Sequence, residues 1–319
     1  MRQITQTDVA KAAGVSRGLV SLALSGSNRV APDTAERIKK IAKELGYSRN
    51  FTAAMLASSR STLVGMILPN LRNPYFESLV CAYQNEADNR GLVTLAATAS
   101  PESGRLDKLL DQFEQMRVKG IILVTPDCPA QHFEDLAVKY PVVAVGVPSM
   151  GEYISAVHID EYEAAELISS HALSRGIGRI NYVADSGADS ASQYRLEAIK
   201  AATKDCGIDL IIKSHDSYLR RRLNIERGEC YLVQNDLIAI DVISAIKAAG
   251  MMPGSDICVI SYDNTYLADH PQFELTSIDQ NPQRQAELSF KILDGSPGAA
   301  TECIVTPRLM VRDSSRVNS

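Results

Sequence analysis

The sequence predicts a small all-α domain at the N-terminus, followed by a large α/β domain built on parallel sheets. The first 60 residues contain only helix-like patterns, whereas short β-rich runs alternate with helical ones from residue 61 onward. The charge changes at the same place: residues 1–60 hold ten Lys/Arg against four Asp/Glu, and the later residues hold 23 against 34. A basic segment ahead of an acidic body is expected when only that segment meets the phosphates of nucleic acid.

Two short helices joined by a tight turn are predicted near the N-terminus. Residues 7–13 have a helical pattern with small side chains on one face, and Gly14 ends it. Ser16 can cap the next helix, residues 17–24. This arrangement is a helix-turn-helix. A third helix, which opens with Pro32 and carries apolar residues at three- and four-residue spacings, closes a three-helix core.

Patterns typical of enzymes, metal sites and membrane segments are missing or lie in the wrong context. Residues 14–18 match the G-x-S-x-G turn of hydrolases, but that turn follows a strand and here it follows a predicted helix. No P-loop is present, and the six cysteines and five histidines lack the spacings of zinc sites or disulfide frameworks. No apolar run approaches the roughly 20 residues of a membrane span, and the N-terminus lacks a secretory pattern. We therefore expect a cytoplasmic protein that is not an enzyme and uses no metal or cofactor.

Nine β-rich runs alternate with helical segments in the body, which predicts two doubly wound lobes with right-handed crossovers. The runs cover residues 63–68, 93–96, 120–124, 142–145, 156–159, 180–183, 210–212, 229–233 and 257–261. In such folds ligands bind at the carboxyl ends of the parallel strands. We therefore expect a small-molecule site there.

Several motifs occur along the chain in an order that one protein family shows. They are Thr7-Asp8-Val9-Ala10-Lys11-Ala12-Ala13-Gly14-Val15-Ser16, Glu44-Leu45-Gly46-Tyr47, Asn73-Pro74-Tyr75-Phe76, Asn235-Asp236, Ser261-Tyr262-Asp263 and Thr306-Pro307-Arg308-Leu309-Met310. With these residues the whole chain resembles the lactose/galactose-repressor family of bacterial transcription regulators.

The resemblance implies how the chain is divided. It assigns residues 1–48 to a helix-turn-helix DNA-binding domain, 49–60 to a hinge helix, and 61–319 to an effector-binding and dimerisation domain. It also implies a periplasmic-binding-protein-like body with two lobes, one of about residues 61–159 and 283–305 and the other of about 160–281 and 306–314. The three chain crossings between the lobes are expected near residues 158–162, 278–284 and 304–308.

In that family the second helix enters the major groove of DNA. The resemblance assigns base reading to Arg17, Gly18, Ser21 or Gln6. Arg17 can pair bidentately with guanine, whereas Gly18 offers only backbone. Phosphate-positioning roles are expected for Thr5, Ser16, Arg29, Tyr47 and Asn50. Leu56 stands at the leucine that the hinge helix pushes between central base pairs from the minor groove.

Predicted strand ends carry side chains suited to a polyhydroxyl or small cyclic ligand. They are the rings of Tyr75 and Phe76 and the hydrogen-bonding groups of Arg195, Asn235, Asp263 and Gln280. Aromatic rings can cover the apolar face of a sugar or base, and Arg and Asp can each engage two hydroxyls. A structural ion pair between Asp263 and Arg195 is the alternative. Asp236 is expected to cap the helix that follows it, and Gly146 stands where many relatives have Asp or Asn.

These patterns predict a homodimeric, nucleoid-associated repressor of a bacterial operon, which binds double-stranded operator DNA and a sugar, polyol or nucleobase-type effector, and no membrane. Only five residues follow Ser314, too few for a leucine-heptad tail, so we expect a dimer rather than a tetramer. Two alternatives stay open: a purine- or nucleoside-responsive or co-repressor-dependent regulator, and a solute-binding protein carrying a basic head.

Overall fold

The computed structural model describes residues 4–24, 27–47, 61–99, 104–185, 190–215 and 225–316. The chain divides into two compact units, residues 1–61 and residues 62–319. Each unit has its own buried apolar core.

The first unit contains three helices, α1 (Gln6–Ala13), α2 (Arg17–Leu24) and α3 (Pro32–Glu44). Apolar residues from all three meet in its core, where Val9, Val20 and Ile38 are fully buried. Gly14 ends α1 with a left-handed backbone (φ 65°), so that its N–H reaches carbonyls of the last turn. The predicted helix-turn-helix with its third helix is therefore confirmed.

Lobe 1 of the second unit is a six-stranded parallel sheet with helices packed on it. Its strands are β1 (Leu63–Leu68), β2 (Val93–Thr98), β3 (Ile121–Val124), β4 (Val142–Val145), β5 (Ser155–Ile159) and β11 (Glu302–Val305), in the order β11-β5-β4-β3-β1-β2. Its helices are α4 (Pro74–Asn89), α5 (Leu106–Gln115), α6 (Gln131–Ala137) and α10 (Pro282–Leu293). Because β1, β3 and β4 are buried along their whole length, they are continuous apolar runs in the sequence.

Lobe 2 repeats this plan with a second six-stranded sheet. Its strands are β6 (Arg179–Ala184), β7 (Asp209–Ser214), β8 (Cys230–Val233), β9 (Cys258–Tyr262), β10 (Thr276–Asp279) and β12 (Arg308–Met310), in the order β12-β10-β9-β8-β6-β7. Its helices are α7 (Glu161–Ser174), α8 (Ser190–Asp205) and α9 (Asp236–Ala248). All strand pairs are parallel except β10 and β12, which run antiparallel.

The chain passes between the lobes three times. It leaves lobe 1 after β5 and enters α7, returns after β10 to α10, and crosses again between β11 and β12. The predicted fold class, a helical head with a two-lobed body of mostly parallel sheets, is confirmed. In the part of the chain described, none of the helices has the length and apolarity to cross a bilayer.

Candidate functional site

The second helix of the head presents a polar face to solvent. Arg17, Gly18 and Ser21 are exposed, whereas Val20 and Ala23 on the opposite face are buried in the core. This alternation follows from the helical repeat, which places residues three and four apart on one side. The residues expected to read bases on α2 therefore share one accessible face. Gln6, at the start of α1, is half-buried.

The residues expected to contact phosphates lie mostly at helix ends. Ser16 caps α2, since its Oγ accepts a hydrogen bond from the Leu19 N–H at 3.2 Å, and its own hydroxyl hydrogen can be donated to a phosphate. Thr5 forms a capping box with Asp8, whose carboxylate accepts from the Thr5 N–H at 2.9 Å. Arg29 is exposed.

Three residues complete the set of expected DNA contacts. Tyr47 is half-buried against the core of the head. Asn50 and Leu56 lie outside the described residues.

The body contains a cleft between the carboxyl ends of β1, β3 and β4 in lobe 1 and those of β8 and β9 in lobe 2. All six residues expected to bind the effector line it: Tyr75, Phe76, Arg195, Asn235, Asp263 and Gln280. Three of them, Tyr75, Phe76 and Asp263, come from segments almost 190 residues apart in sequence, and the two lobes bring them together. We call this space, of about 80 Å³, the inner cleft.

Asp263 is the buried acid of the inner cleft. Its Oδ2 accepts a hydrogen bond from Asn73 Nδ2 at 2.8 Å, and its Oδ1 accepts one from Gln280 Nε2 at 2.6 Å. Burial raises the pKa of the Asp263 carboxyl to about 7, although the Arg195 guanidinium opposes this rise. Since Asn73 is the N-cap residue of α4 in lobe 1, its bond to Asp263 joins the two lobes across the cleft.

Arg195 is held by groups behind the cleft. Its Nε donates to both carboxylate oxygens of Glu161, at 3.0 and 3.3 Å, and its Nη1 donates to the carbonyl of Gln234 at 3.1 Å. The guanidinium carbon lies 3.9 Å from the centre of the Tyr262 ring. Arg195 therefore forms its ion pair with Glu161 and not with Asp263. Burial raises the pKa of the Glu161 carboxyl, and Arg195 opposes that effect.

The Asn235-Asp236 turn corrects one expectation from sequence. Asn235, not Asp236, caps α9, because its Oδ1 accepts the Ile238 N–H at 2.9 Å. Asp236 is fully buried and accepts hydrogen bonds from Thr265 N, at 2.7 Å, and from Ser277 Oγ, at 2.8 Å. It therefore anchors the segment that follows Asp263. The Asn235 amide nitrogen remains the group that it can offer to a ligand.

The aromatic wall of the inner cleft is fixed by Gln285, a residue that the sequence did not single out. Gln285 Nε2 donates to the hydroxyl of Tyr75 at 3.1 Å and to the carbonyl of Gln280 at 2.7 Å. Burial raises the pKa of the Tyr75 hydroxyl far above its ordinary value, so that it stays neutral. The rings of Tyr75 and Phe76 lie 6.0 Å apart with a tilt of 52°.

Comparisons with known proteins agree with this architecture. The model for bacterial regulatory proteins of the lacI family matches residues 5–50, and that for a periplasmic binding protein-like domain matches residues 170–315. The chain therefore has a lacI-family helix-turn-helix domain and a periplasmic-binding-protein-like domain. The HTH-type transcriptional regulator DegA of Bacillus subtilis (strain 168) is similar to it, with 23% identity over an alignment of 329 positions that covers 97% of each chain.

Two solved structures show the same fold as this chain. The lac repressor dimer bound to operator and the anti-inducer ONPF matches with a TM-score of 0.82 and 20% identity, over 99% of this chain and 100% of that one. A complex of the transcriptional regulator CelR with cellobiose matches with a TM-score of 0.67 and 23% identity, over 98% and 100% of the two chains. These relatives are transcription regulators and not enzymes.

Gly146 shapes one wall of the inner cleft. Gly146 has φ 82°, and a Cβ added to it would lie 3.0 Å from Thr125 Cγ2. A side chain at position 146 would be strained. The wall beside Gly146 is formed by Thr125. Across the described ranges, no cluster of three or more His, Cys, Asp or Glu side chains could hold a metal ion.

Proposed function

We propose that the chain is a homodimeric repressor of a bacterial operon, which acts in the cytoplasm at the nucleoid and whose affinity for operator DNA depends on a sugar or a related small polar effector. The observation that carries this proposal is the pairing of an exposed Arg17-Gly18-Ser21 face on a helix-turn-helix with a polar, aromatic-walled cleft in the body. The lac repressor dimer on its operator and the CelR complex with cellobiose support both halves of it.

The inner cleft suggests how a ligand acts. Asp263 receives hydrogen bonds from lobe 1 through Asn73 and from a chain crossing through Gln280. A ligand hydroxyl that donates to Asp263 competes with both amides, so binding changes the contacts that join the lobes. A shift between two lobe arrangements then alters the order of the hinge segment and the affinity for DNA.

The test begins with selection of DNA sequences by the full-length chain, followed by footprinting. A two-fold dimer should protect a near-palindromic site, because it presents two recognition helices. Titration of that complex with sugars, polyols and nucleobases then shows which class weakens or strengthens operator binding. Protection of one asymmetric half-site, or an operator affinity that no ligand changes, would contradict the proposal.

Arg17→Ala is expected to relax base preference and to weaken operator binding by roughly 1–3 kcal/mol, because it removes a bidentate pair with guanine. Competition binding against operator and random DNA measures the difference. Arg37→Ala, which removes an exposed arginine from α3, is the matched control and should not change base preference. Equal losses on both DNAs for Arg17→Ala would assign Arg17 to a phosphate instead.

Leu56→Ala tests the proposed hinge. Removing a leucine wedge loses the apolar contact that offsets base unstacking, so the operator should straighten and its affinity should fall much more than the affinity for random DNA. Met55→Ala removes a neighbouring apolar side chain as the control. Circular-permutation gel shifts report the bend. An unchanged bend and affinity in Leu56→Ala would show that residues 50–57 act only as a linker.

A further inference from the structure

A second and larger cavity adjoins the inner cleft. It measures about 900 Å³ and lies wholly in lobe 1, at the carboxyl ends of β1, β2 and β3. We call it the outer cavity. It shares Val124 and Thr125 with the inner cleft, so the two spaces meet at the end of β3. The sheet order places β2 and β3 on opposite sides of β1, and such a switch point is where doubly wound sheets bind ligands.

The outer cavity has an apolar floor and a polar rim. The ends of β1 and β3 supply buried floor residues, among them Leu68 and Leu123. The rim carries charges of both signs, including Arg72 and Asp127, and His132 Nε2 lies 2.7 Å from an oxygen of Asp107. An apolar floor with donors and acceptors at its rim suits a ligand ring that has an apolar face and hydroxyls at its edge. Because the rim carries both positive and negative side chains, it does not favour an anionic ligand over a neutral one.

In this arrangement of the lobes the inner cleft is too small to hold a whole ligand. Its volume of about 80 Å³ is far below the roughly 300–1,000 Å³ of typical small-molecule sites, whereas the outer cavity falls within that range. The Asn73–Asp263 bond between the lobes narrows the inner cleft, and the bond from Ser190 Oγ to Asp127 Oδ1, at 3.3 Å, joins lobe 2 to the rim of the outer cavity. The shared residue Thr125 gives a ligand group bound at Asp263 a direct path into the outer cavity.

We infer that the effector is an extended neutral sugar of at least two units, an oligosaccharide or glycoside, with one unit at Asp263 and Arg195 and the next over the outer cavity. The inference rests on the proposed function, since it names the class of ligand that the same cleft senses. On this inference, the residues at the carboxyl end of β2 determine whether the chain binds monosaccharides or longer sugars.

Binding by the full-length chain to cellobiose, maltose, lactose and sucrose, and to the monosaccharides glucose, galactose, fructose and ribose, tests the inference by calorimetry. At least one disaccharide should bind about ten-fold more tightly than either of its component monosaccharides. Ala99→Trp fills the outer cavity from the end of β2 and should weaken that disaccharide by about ten-fold or more, with little effect on a monosaccharide. Ala249→Trp, at an exposed position at the end of α9, is the matched control.

Thr98→Trp, at the neighbouring position of the same cavity, serves as a second variant if Ala99→Trp does not fold. A monosaccharide that binds as tightly as the best disaccharide, or a disaccharide affinity that neither variant lowers, would overturn the inference. In the first of these cases the operator response to that monosaccharide still supports the proposed function. If no sugar of either length binds, sugar sensing itself fails and the inference fails with it.

Discussion

At pH 8 the Asp263→Asn variant is expected to have a higher free energy of unfolding than the wild-type chain, while losing effector binding. The wild-type carboxyl is 5% exposed, and burial raises its pKa to about 7. An amide carries no charge to desolvate. Compared with the ordinary aspartate pKa of about 3.9, this rise corresponds to about 4 kcal/mol. The amide loses one of the two hydrogen bonds that the carboxylate accepts from Asn73 and Gln280, at a cost of roughly 1–3 kcal/mol, so the net gain should be smaller than about 4 kcal/mol. Effector binding is lost because the amide keeps only one acceptor oxygen.

The sign of the pH dependence follows from the raised pKa. Below about pH 4 the carboxyl is protonated in both the folded and the unfolded chain, so it adds no difference between them. Between about pH 4 and pH 7 the unfolded chain has lost this proton and the folded chain keeps it, so the wild type loses stability as the pH rises. Above about pH 7 the loss is complete. The advantage of Asp263→Asn should therefore grow over that window and then level off.

Urea unfolding of the full-length chain, followed by tyrosine fluorescence, measures this difference. Of the 12 tyrosines only Tyr47 lies in the first 60 residues, so the signal reports on the body. Asp135→Asn, an exposed position on α6, is the control and should leave the pH profile parallel to that of the wild type. Parallel profiles for Asp263→Asn and the wild type would contradict the expected charge burial at Asp263.

The sequence predicted most of the sheets because their central strands are buried on both faces. The β1, β3 and β4 segments are unbroken apolar runs, and such runs are visible without coordinates. The β10 segment reads Thr-Ser-Ile-Asp, a mostly polar sequence that does not predict a strand. Thr276 and Ser277 are nonetheless buried: Thr276 Oγ1 donates to the Arg312 carbonyl at 3.0 Å, and Ser277 Oγ donates to Asp236 at 2.8 Å. Those partners are distant in sequence, so no local pattern reveals them.

The candidate site was likewise only partly predictable from the sequence. The resemblance identified Arg195 and Asp263, but it did not identify their partners. Glu161 lies in the first turn of α7, where an acidic residue is favoured by the helix dipole alone. Nothing in the sequence therefore indicates that Glu161 pairs with Arg195. Asn235 and Asp236 are both good cap residues, and only the backbone geometry decides which of them caps α9.

Glu161→Leu is expected to lower the free energy of unfolding of the body by about 3–5 kcal/mol, because it leaves the Arg195 guanidinium buried without its carboxylate. Both side chains are largely buried, 10% exposed for Arg195 and 6% for Glu161, so solvent cannot replace the lost partner. Leucine has a similar volume, so the change removes charge more than packing. Urea unfolding of the full-length chain measures the loss, again by tyrosine fluorescence.

The double variant Glu161→Leu/Arg195→Met separates an unpaired charge from a general loss of packing. It removes both charges and keeps apolar volume at both positions, so it should be more stable than Glu161→Leu alone and should recover most of the loss. The hydrogen bond from Arg195 to the Gln234 carbonyl and the stacking on Tyr262 are lost as well, and for this reason recovery should stop short of the wild type. A double variant less stable than Glu161→Leu would show that the guanidinium stabilises the lobe through those contacts even without its carboxylate. A single-variant loss of less than about 1 kcal/mol would show that the pair behaves like an exposed one.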